Sequence, residues 1–220
     1  MEAMYVNKKS AWSLQTLSPA WRVAAQEAWS AYAAGTVPVG AALADRRGVV
    51  VAKGRNRILD RAAYPQIGRT RLAHAEVNAL LALSGIDLDP RTLAIFTTAE
   101  PCPLCIGAIV MANVREIRYA AREPYAGSIA LLEATPYLRS KAIAVVPPQD
   151  RLFEGALKAI GVEFHLRVPG PRLAELVEAC RIVRPDAVVS ALRLHREGRW
   201  DDLRRMSAED GLAEVVAALD

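Results

Sequence analysis

The sequence predicts a layered α/β fold, a single sheet with helices on both faces, followed by a helical C-terminal extension. Three observations carry this. Apolar residues recur at helical spacing and then in short strand-like runs, in the order helix, two strands, repeated helix–strand units. Turn chemistry cuts these runs at Gly35, Asp45 to Gly48, Pro90, Pro101 and Pro147-Pro148. Beyond Val168-Pro169-Gly170-Pro171 only helical patterns remain, which divides the chain into residues 1–170 and 171–220.

Ser18-Pro19 is a helix start, a capping residue followed by proline at the first helical position. Trp21, Ala24, Ala25, Ala28 and Tyr32 follow at helical spacing, and Gly35 ends the run. Pro38 to Asp45 and Val49 to Ala52 are short apolar strands joined by Asp45-Arg46-Arg47-Gly48, a hairpin pattern. Thr92 to Thr98 reads as a buried strand, Glu116 to Ala120 as a fourth and Lys141 to Val146 as a fifth, with a short helix at Ser128 to Leu132. Asp150 caps a helix that Gly161 should end, leaving Glu163 to Val168 extended. The first strand pair is expected to be antiparallel and the rest largely parallel. Three helices are expected in the extension: one through Leu173, Leu176, Val177 and Cys180, one over 187–196, and one capped by Ser207 and Asp210.

At 220 residues and 52% hydrophobic content the chain can bury a substantial core. No run approaches the roughly 18 apolar residues of a membrane span. Met1 to Ser10 carries Lys8 and Lys9 but no apolar stretch of the kind a signal peptide needs. Three cysteines form no disulfide framework, and a reducing cytoplasm suits them. Net charge is +4, unevenly spread. Residues 1–170 hold 20 Lys and Arg against 14 Asp and Glu, a surplus of +6, while 171–220 hold 8 against 10, or −2. The basic excess is compatible with an anionic partner such as a nucleotide or RNA.

The chemistry is concentrated between His74 and Cys105. His74-Ala75-Glu76 opens an apolar-periodic helix through Val77, Leu80 and Leu81, and Pro101-Cys102-Pro103-Leu104-Cys105 opens another. A catalytic zinc takes three protein ligands and leaves its fourth place for water, and His74, Cys102 and Cys105 supply three. Two cysteines three apart at a helix start can face one point, where unpaired N–H groups favour thiolate. Glu76 remains free as a proton carrier. The pattern H-x-E…P-C-x-x-C is the zinc deaminase signature, in which the glutamate is acid and base rather than ligand. A closed structural site would need a fourth donor, and His165, Cys180 and His195 lie far along the chain in apolar or ordinary helical patterns. Arg55, Arg57, Arg61, Arg69 and Arg71 precede His74 and read either as a rim for phosphate or RNA, or as a solvated loop.

These residues resemble the cytidine deaminase-like superfamily, in the branch of bacterial tRNA-specific adenosine deaminases and small guanine deaminases. The likeness covers roughly residues 19–167. It rests on Pro38-Val39-Gly40-Ala41, Gly54-Arg55-Asn56-Arg57, the two motifs above and Ala126-Gly127-Ser128. The resemblance implies a three-layer α/β/α sandwich around a five-stranded mixed sheet, a Zn2+ cofactor and a homodimer. It implies that Asn56 contacts the base, that the Ala75 backbone meets its edge, and that an amino group is exchanged for oxygen with release of ammonia. Ala126-Gly127-Ser128 is similar to the tRNA enzymes, whereas Glu100 to Ala108 and Tyr119-Ala120-Ala121 are similar to the guanine deaminases. The basic, aromatic C-terminal helix of the tRNA enzymes is replaced here by Glu154 to Arg167, whose only Lys or Arg residues are Lys158 and Arg167. A small nucleobase or nucleoside is therefore the expected substrate, and wobble adenosine in tRNA the alternative. A non-catalytic partner subunit with a structural zinc is the reading from outside enzymology, and Glu76 argues against it.

Overall fold

The computed structural model describes residues 12–62 and 64–219. Met1 to Ala11, Ala63 and Asp220 lie outside the described residues, and with them the stretch read against a signal peptide. A 3-10 turn at Leu14–Thr16 leads into helix α1 (Pro19–Ala33), the strands β1 (Gly40–Ala44) and β2 (Val50–Arg55), and helix α2 (Ala75–Leu81). Strand β3 (Ala94–Thr97), helix α3 (Pro103–Met111), strand β4 (Glu116–Tyr119), helix α4 (Pro136–Ser140) and strand β5 (Ala144–Val146) follow. Five helices complete the chain: α5 (Arg151–Arg167), α6 (Leu173–Val183), α7 (Pro185–Arg196), α8 (Trp200–Leu203) and α9 (Ala208–Ala217).

The five strands form one mixed sheet in the order β2-β1-β3-β4-β5. β1 is antiparallel to β2 and also to β3, while β3, β4 and β5 run parallel. The antiparallel β1–β3 pair is the one exception among the pairs after the first, which were expected to run largely parallel. Its cause is the path of α2, which carries the chain from β2 across β1 and sets β3 down parallel to β2, hence opposed to β1.

Small residues let helices approach both faces. Ala20, Ala24, Ala28 and Ala31 make the buried side of α1, and a Cβ on Gly40 would lie 2.2 Å from the Ala24 carbonyl oxygen. On the opposite face a Cβ on Gly54 would lie 2.3 Å from the Ala79 nitrogen of α2. Neither position has room for a side chain. Ala41, Leu43, Ile95 and Ile117 share a core with α2 and α3.

A second core joins α1, α5 and the C-terminal extension. Trp29 and Tyr32 of α1 and Phe153, Ala156 and Ile160 of α5 meet Val188 and Leu194 of α7, Trp200, and Leu212 and Val216 of α9. Trp29 Nε1–H donates to the Met206 carbonyl at 3.1 Å, and a Cβ on Gly211 would sit 2.1 Å from the Trp29 ring. The segment after residue 170 thus buries its apolar surface against the sheet-bearing part.

Several local expectations are corrected. α5 does not stop at Gly161, and Glu163 to Val168 is not extended; the helix runs unbroken to Arg167. Phe153, Ala156, Leu157, Ile160 and Phe164 continue one buried face across the glycine, whose helical penalty of about 1 kcal/mol that burial outweighs. β5 is confined to Ala144–Val146, because Ala142 turns through φ 46° just before it. The stretch at Ser128 to Leu132 is a 3-10 helix over Ile129–Glu133, and α4 follows on a Thr135 cap. The extension holds four helices rather than three, the short α8 being anchored by Trp200.

Candidate active site

His74 and Cys102 are the N-cap residues of α2 and α3, both with extended backbone, and Pro103 occupies the first turn after Cys102. Proline is tolerated there because its missing N–H has no helical partner to lose. Cys105 lies one turn on, so its Sγ faces that of Cys102 at 3.6 Å. His74 Nδ1 is 3.4 Å from each sulfur. Zinc at its usual bond lengths in a tetrahedron needs an S–S edge of about 3.8 Å and N–S edges of about 3.6 Å. The donor triangle is within a few tenths of an ångström of that, and the two-sulfur, one-imidazole set is a zinc set.

Glu76 is on the first turn of α2, 3% exposed. The Thr97 hydroxyl at the end of β3 donates to its Oε1 at 3.0 Å, and Cys105 Sγ is 3.2 Å from its Oε2. Burial raises the Glu76 carboxyl above its ordinary value. That is what a group needs if it is to hold a proton as well as release one. The hydrogen bond with Cys105, helped by His74 against the cost of burial, pulls the Cys102 thiol down to about 4. Its neighbour Cys105 is pushed up by the same bond and by burial, and the hydrogen bond with Cys102 raises His74.

These groups open into a cavity of about 250 Å³ walled by Val37, Val39, Ile58, Tyr125, His165 and Leu176. Asn56 lines it as well. Its Oδ1 accepts from the Thr36 hydroxyl at 2.9 Å and from the Ile58 N–H at 3.1 Å, so its NH2 is what it can offer a ligand. Ala75, between His74 and Glu76, is fully buried and does not line the cavity. Of the five arginines before His74, two fold inward. Arg55 and Arg57 pair with Asp60, the latter at 3.0 Å, and Arg57 also donates to the Arg61 carbonyl. Arg61, Arg69 and Arg71 stay exposed.

Sequence reasoning missed the far wall. His165 was expected in a strand and is on α5, where the helical series Lys158, Gly161, Val162, His165 faces the adjoining void. Reading α5 through Gly161 would have exposed that stripe. Glu123 also lines the cavity and is paired with the buried Lys158 at 2.7 Å. No sequence signal joins two charges 35 residues apart.

Zinc dependence is directly checkable. Cys105→Ala should drop bound zinc from about one per chain to under about a tenth in micromolar zinc, and should remove the metal-dependent gain in Tm. Elemental analysis and a thermal melt with and without chelator read both.

Comparison with known proteins agrees with this geometry. Residues 15–121 match the cytidine and deoxycytidylate deaminase zinc-binding region. The tRNA-specific adenosine deaminase of Bacillus subtilis is 33% identical over 108 residues, 47% of this chain and 61% of that protein. The guanine deaminase of the same organism is 34% identical over 88 residues, 38% of this chain and 50% of the relative. The chain thus spans between half and two-thirds of the length of these relatives. A solved structure from work on A-to-I editing by tRNA:A34 deaminases superposes with TM-score 0.53 at 26% identity, covering 63% of this chain and 97% of that one. The helix–strand–helix unit that brings His74, Cys102 and Cys105 together lies within residues 15–121, the stretch that matches the cytidine and deoxycytidylate deaminase zinc-binding region.

Proposed function

We propose that this chain is a zinc-dependent hydrolytic deaminase, replacing the exocyclic amino group of a nucleobase or nucleoside by oxygen and releasing ammonia. The observation that carries it is the buried carboxyl of Glu76 beside three zinc donors in one cavity. A structural zinc site has no use for that carboxyl.

His74, Cys102 and Cys105 would hold the metal, which when bound supplies a Lewis acid and brings the pKa of water to about 7. Glu76 takes a proton from the attacking water and gives it to a ring nitrogen. It then relays a second proton to the departing amino group, so one water is consumed and one ammonia leaves. Thr97 keeps the carboxyl aimed by donating to its other oxygen. Asn56 donates its NH2 to the base, whereas Ala75, buried behind the cavity wall, has no part in holding it. Val37, Val39 and Ile58 cover the ring and exclude water.

The cavity suits a single heterocycle or nucleoside, being just below the roughly 300–1,000 Å³ of drug-sized ligand pockets. Wobble adenosine in tRNA is the second reading, favoured by the Bacillus subtilis tRNA-specific adenosine deaminase among the relatives. Residues 1–170 would form the deaminase domain and 171–220 a helical extension docked on it. A homodimer in the cytoplasm belongs to the same reading; no helix among the described residues is long and apolar enough to cross a membrane.

Ammonia release from guanine, adenine, cytosine, their nucleosides and an anticodon stem-loop bearing adenosine tests the proposal. Turnover of a free base or nucleoside is the expected result. Inosine in the stem-loop alone would transfer the reading to tRNA. Zinc-loaded protein inactive on the whole panel would leave the non-catalytic partner subunit.

A further inference from the structure

The helix α6 is placed as no sequence pattern suggested. It is 11 residues long and none of them is buried. Its partly buried Val177 and Cys180 touch the core shared by α1 and α5, while Leu176 lines the cavity that holds the zinc donors. Leu176 and Cys180 also line a smaller void of about 80 Å³ next to it, beside the Glu123–Lys158 pair. Pro169-Gly170-Pro171 precedes the helix and Arg184-Pro185 follows it, so both ends are backbone breaks. At its N-cap, Arg172 donates to the Tyr125 hydroxyl at 2.7 Å and lies 5.6 Å over that ring. Tyr125 comes from the loop after β4 and lines the same cavity. This exposed contact ties the start of α6 to the loop after β4, whose Tyr125 lines the cavity.

We infer that α6 is a movable wall of the active site, latched by Arg172 and Tyr125, which selects free bases and nucleosides and excludes polynucleotide. The inference rests on the deaminase reading and names the substrate class of that site. With α6 in place, Leu176 adds an apolar wall to the cavity that Val37 and Val39 also line, and a small free base fits beside it. A base still attached to an RNA loop would have to displace the helix. Few buried contacts hold α6, which places it among the segments that open locally at low cost.

Cys180 reports the motion without any turnover. In the zinc-loaded full-length protein, Cys102 and Cys105 are committed to the metal, and a coloured disulfide reagent reads Cys180, with Cys180→Ser as the blank. Arg172→Ala should speed that labelling by about fivefold at unchanged Tm, since one exposed hydrogen bond is lost. Leu176→Ala should raise KM for the active base about tenfold, with a smaller change in kcat, because one apolar wall of the pocket is removed. It should also raise activity on the adenosine stem-loop relative to the free base. Labelling and KM both unchanged would overturn the inference, as would wild-type protein preferring the stem-loop over every small substrate. If the wild type deaminates nothing on the panel, the deaminase reading fails by itself, and the Arg172→Ala labelling rate still decides whether α6 is latched.

Discussion

Glu76→Gln should keep about one zinc per chain and lose about 10³- to 10⁴-fold in kcat, the upper range for a group that serves as both base and acid. At 1.36 kcal/mol per tenfold this is about 4–5.5 kcal/mol of barrier. Glutamine keeps the shape and still accepts from the Thr97 hydroxyl, so the cavity and the donor triangle should survive. It cannot take a proton from water. Zinc content by elemental analysis and single-turnover ammonia release separate the two effects. Wild-type-like turnover with zinc bound would remove Glu76 from the mechanism.

The second large effect concerns a residue outside the cavity lining. Arg184 is 1% exposed, at the junction of α6 and α7. Its guanidinium donates to the Arg151 carbonyl at 2.6 Å and to both Asp186 oxygens at 2.5 and 2.9 Å, and it lies 3.5 Å from Glu154. Gly155 of α5 leaves the room for it, since a Cβ there would be 2.3 Å from Arg184 Nη2. Arg184→Ala should cost about 3–5 kcal/mol, the usual price of stranding one half of a buried pair. Urea denaturation should show a lower midpoint at unchanged m. Arg184→Lys should not restore it, because a point charge cannot serve Asp186 and the Arg151 carbonyl together. Acid gives a second readout. The hydrogen bond from Arg184 holds the Asp186 carboxyl below its ordinary value. Burial pushes Glu154 up, but the hydrogen bonds from Arg122 outweigh it and leave that carboxyl lowered too. A lowered carboxyl stabilises the fold above its unfolded value and loses that contribution as pH falls through the folded one. Wild-type Tm should therefore fall below about pH 4.5, and the slope should be shallower in Arg184→Ala, where Asp186 loses the donor that lowers it most.

The zinc donors were legible in the sequence because their spacing is local chemistry. Cys102 and Cys105 share one turn of helix, and His74 and Glu76 share another, so only the meeting of the two turns needed a sheet. That meeting followed from the helix–strand–helix order. The strand directions were less legible: β1 and β3 oppose each other because of where α2 crosses, and nothing in either strand's residues states that. Gly161 misled for a physical reason. A glycine ends a helix when burial does not continue past it, and here Phe164 continues it.

Sequence alone determined the layered α/β class, pointed to the cluster of His74, Glu76, Cys102 and Cys105, and marked the helices that follow residue 170. Tertiary structure decided what encloses that cluster. His165, Glu123, Tyr125 and Leu176 reach the cavity from α5, the loop after β4 and α6, all of them beyond the stretch from His74 to Cys105. Metal-ligand spacing is set within a turn of helix and leaves a mark on the sequence. A pocket wall is set by which apolar and charged surfaces pack together, and its residue types are those of any core or surface.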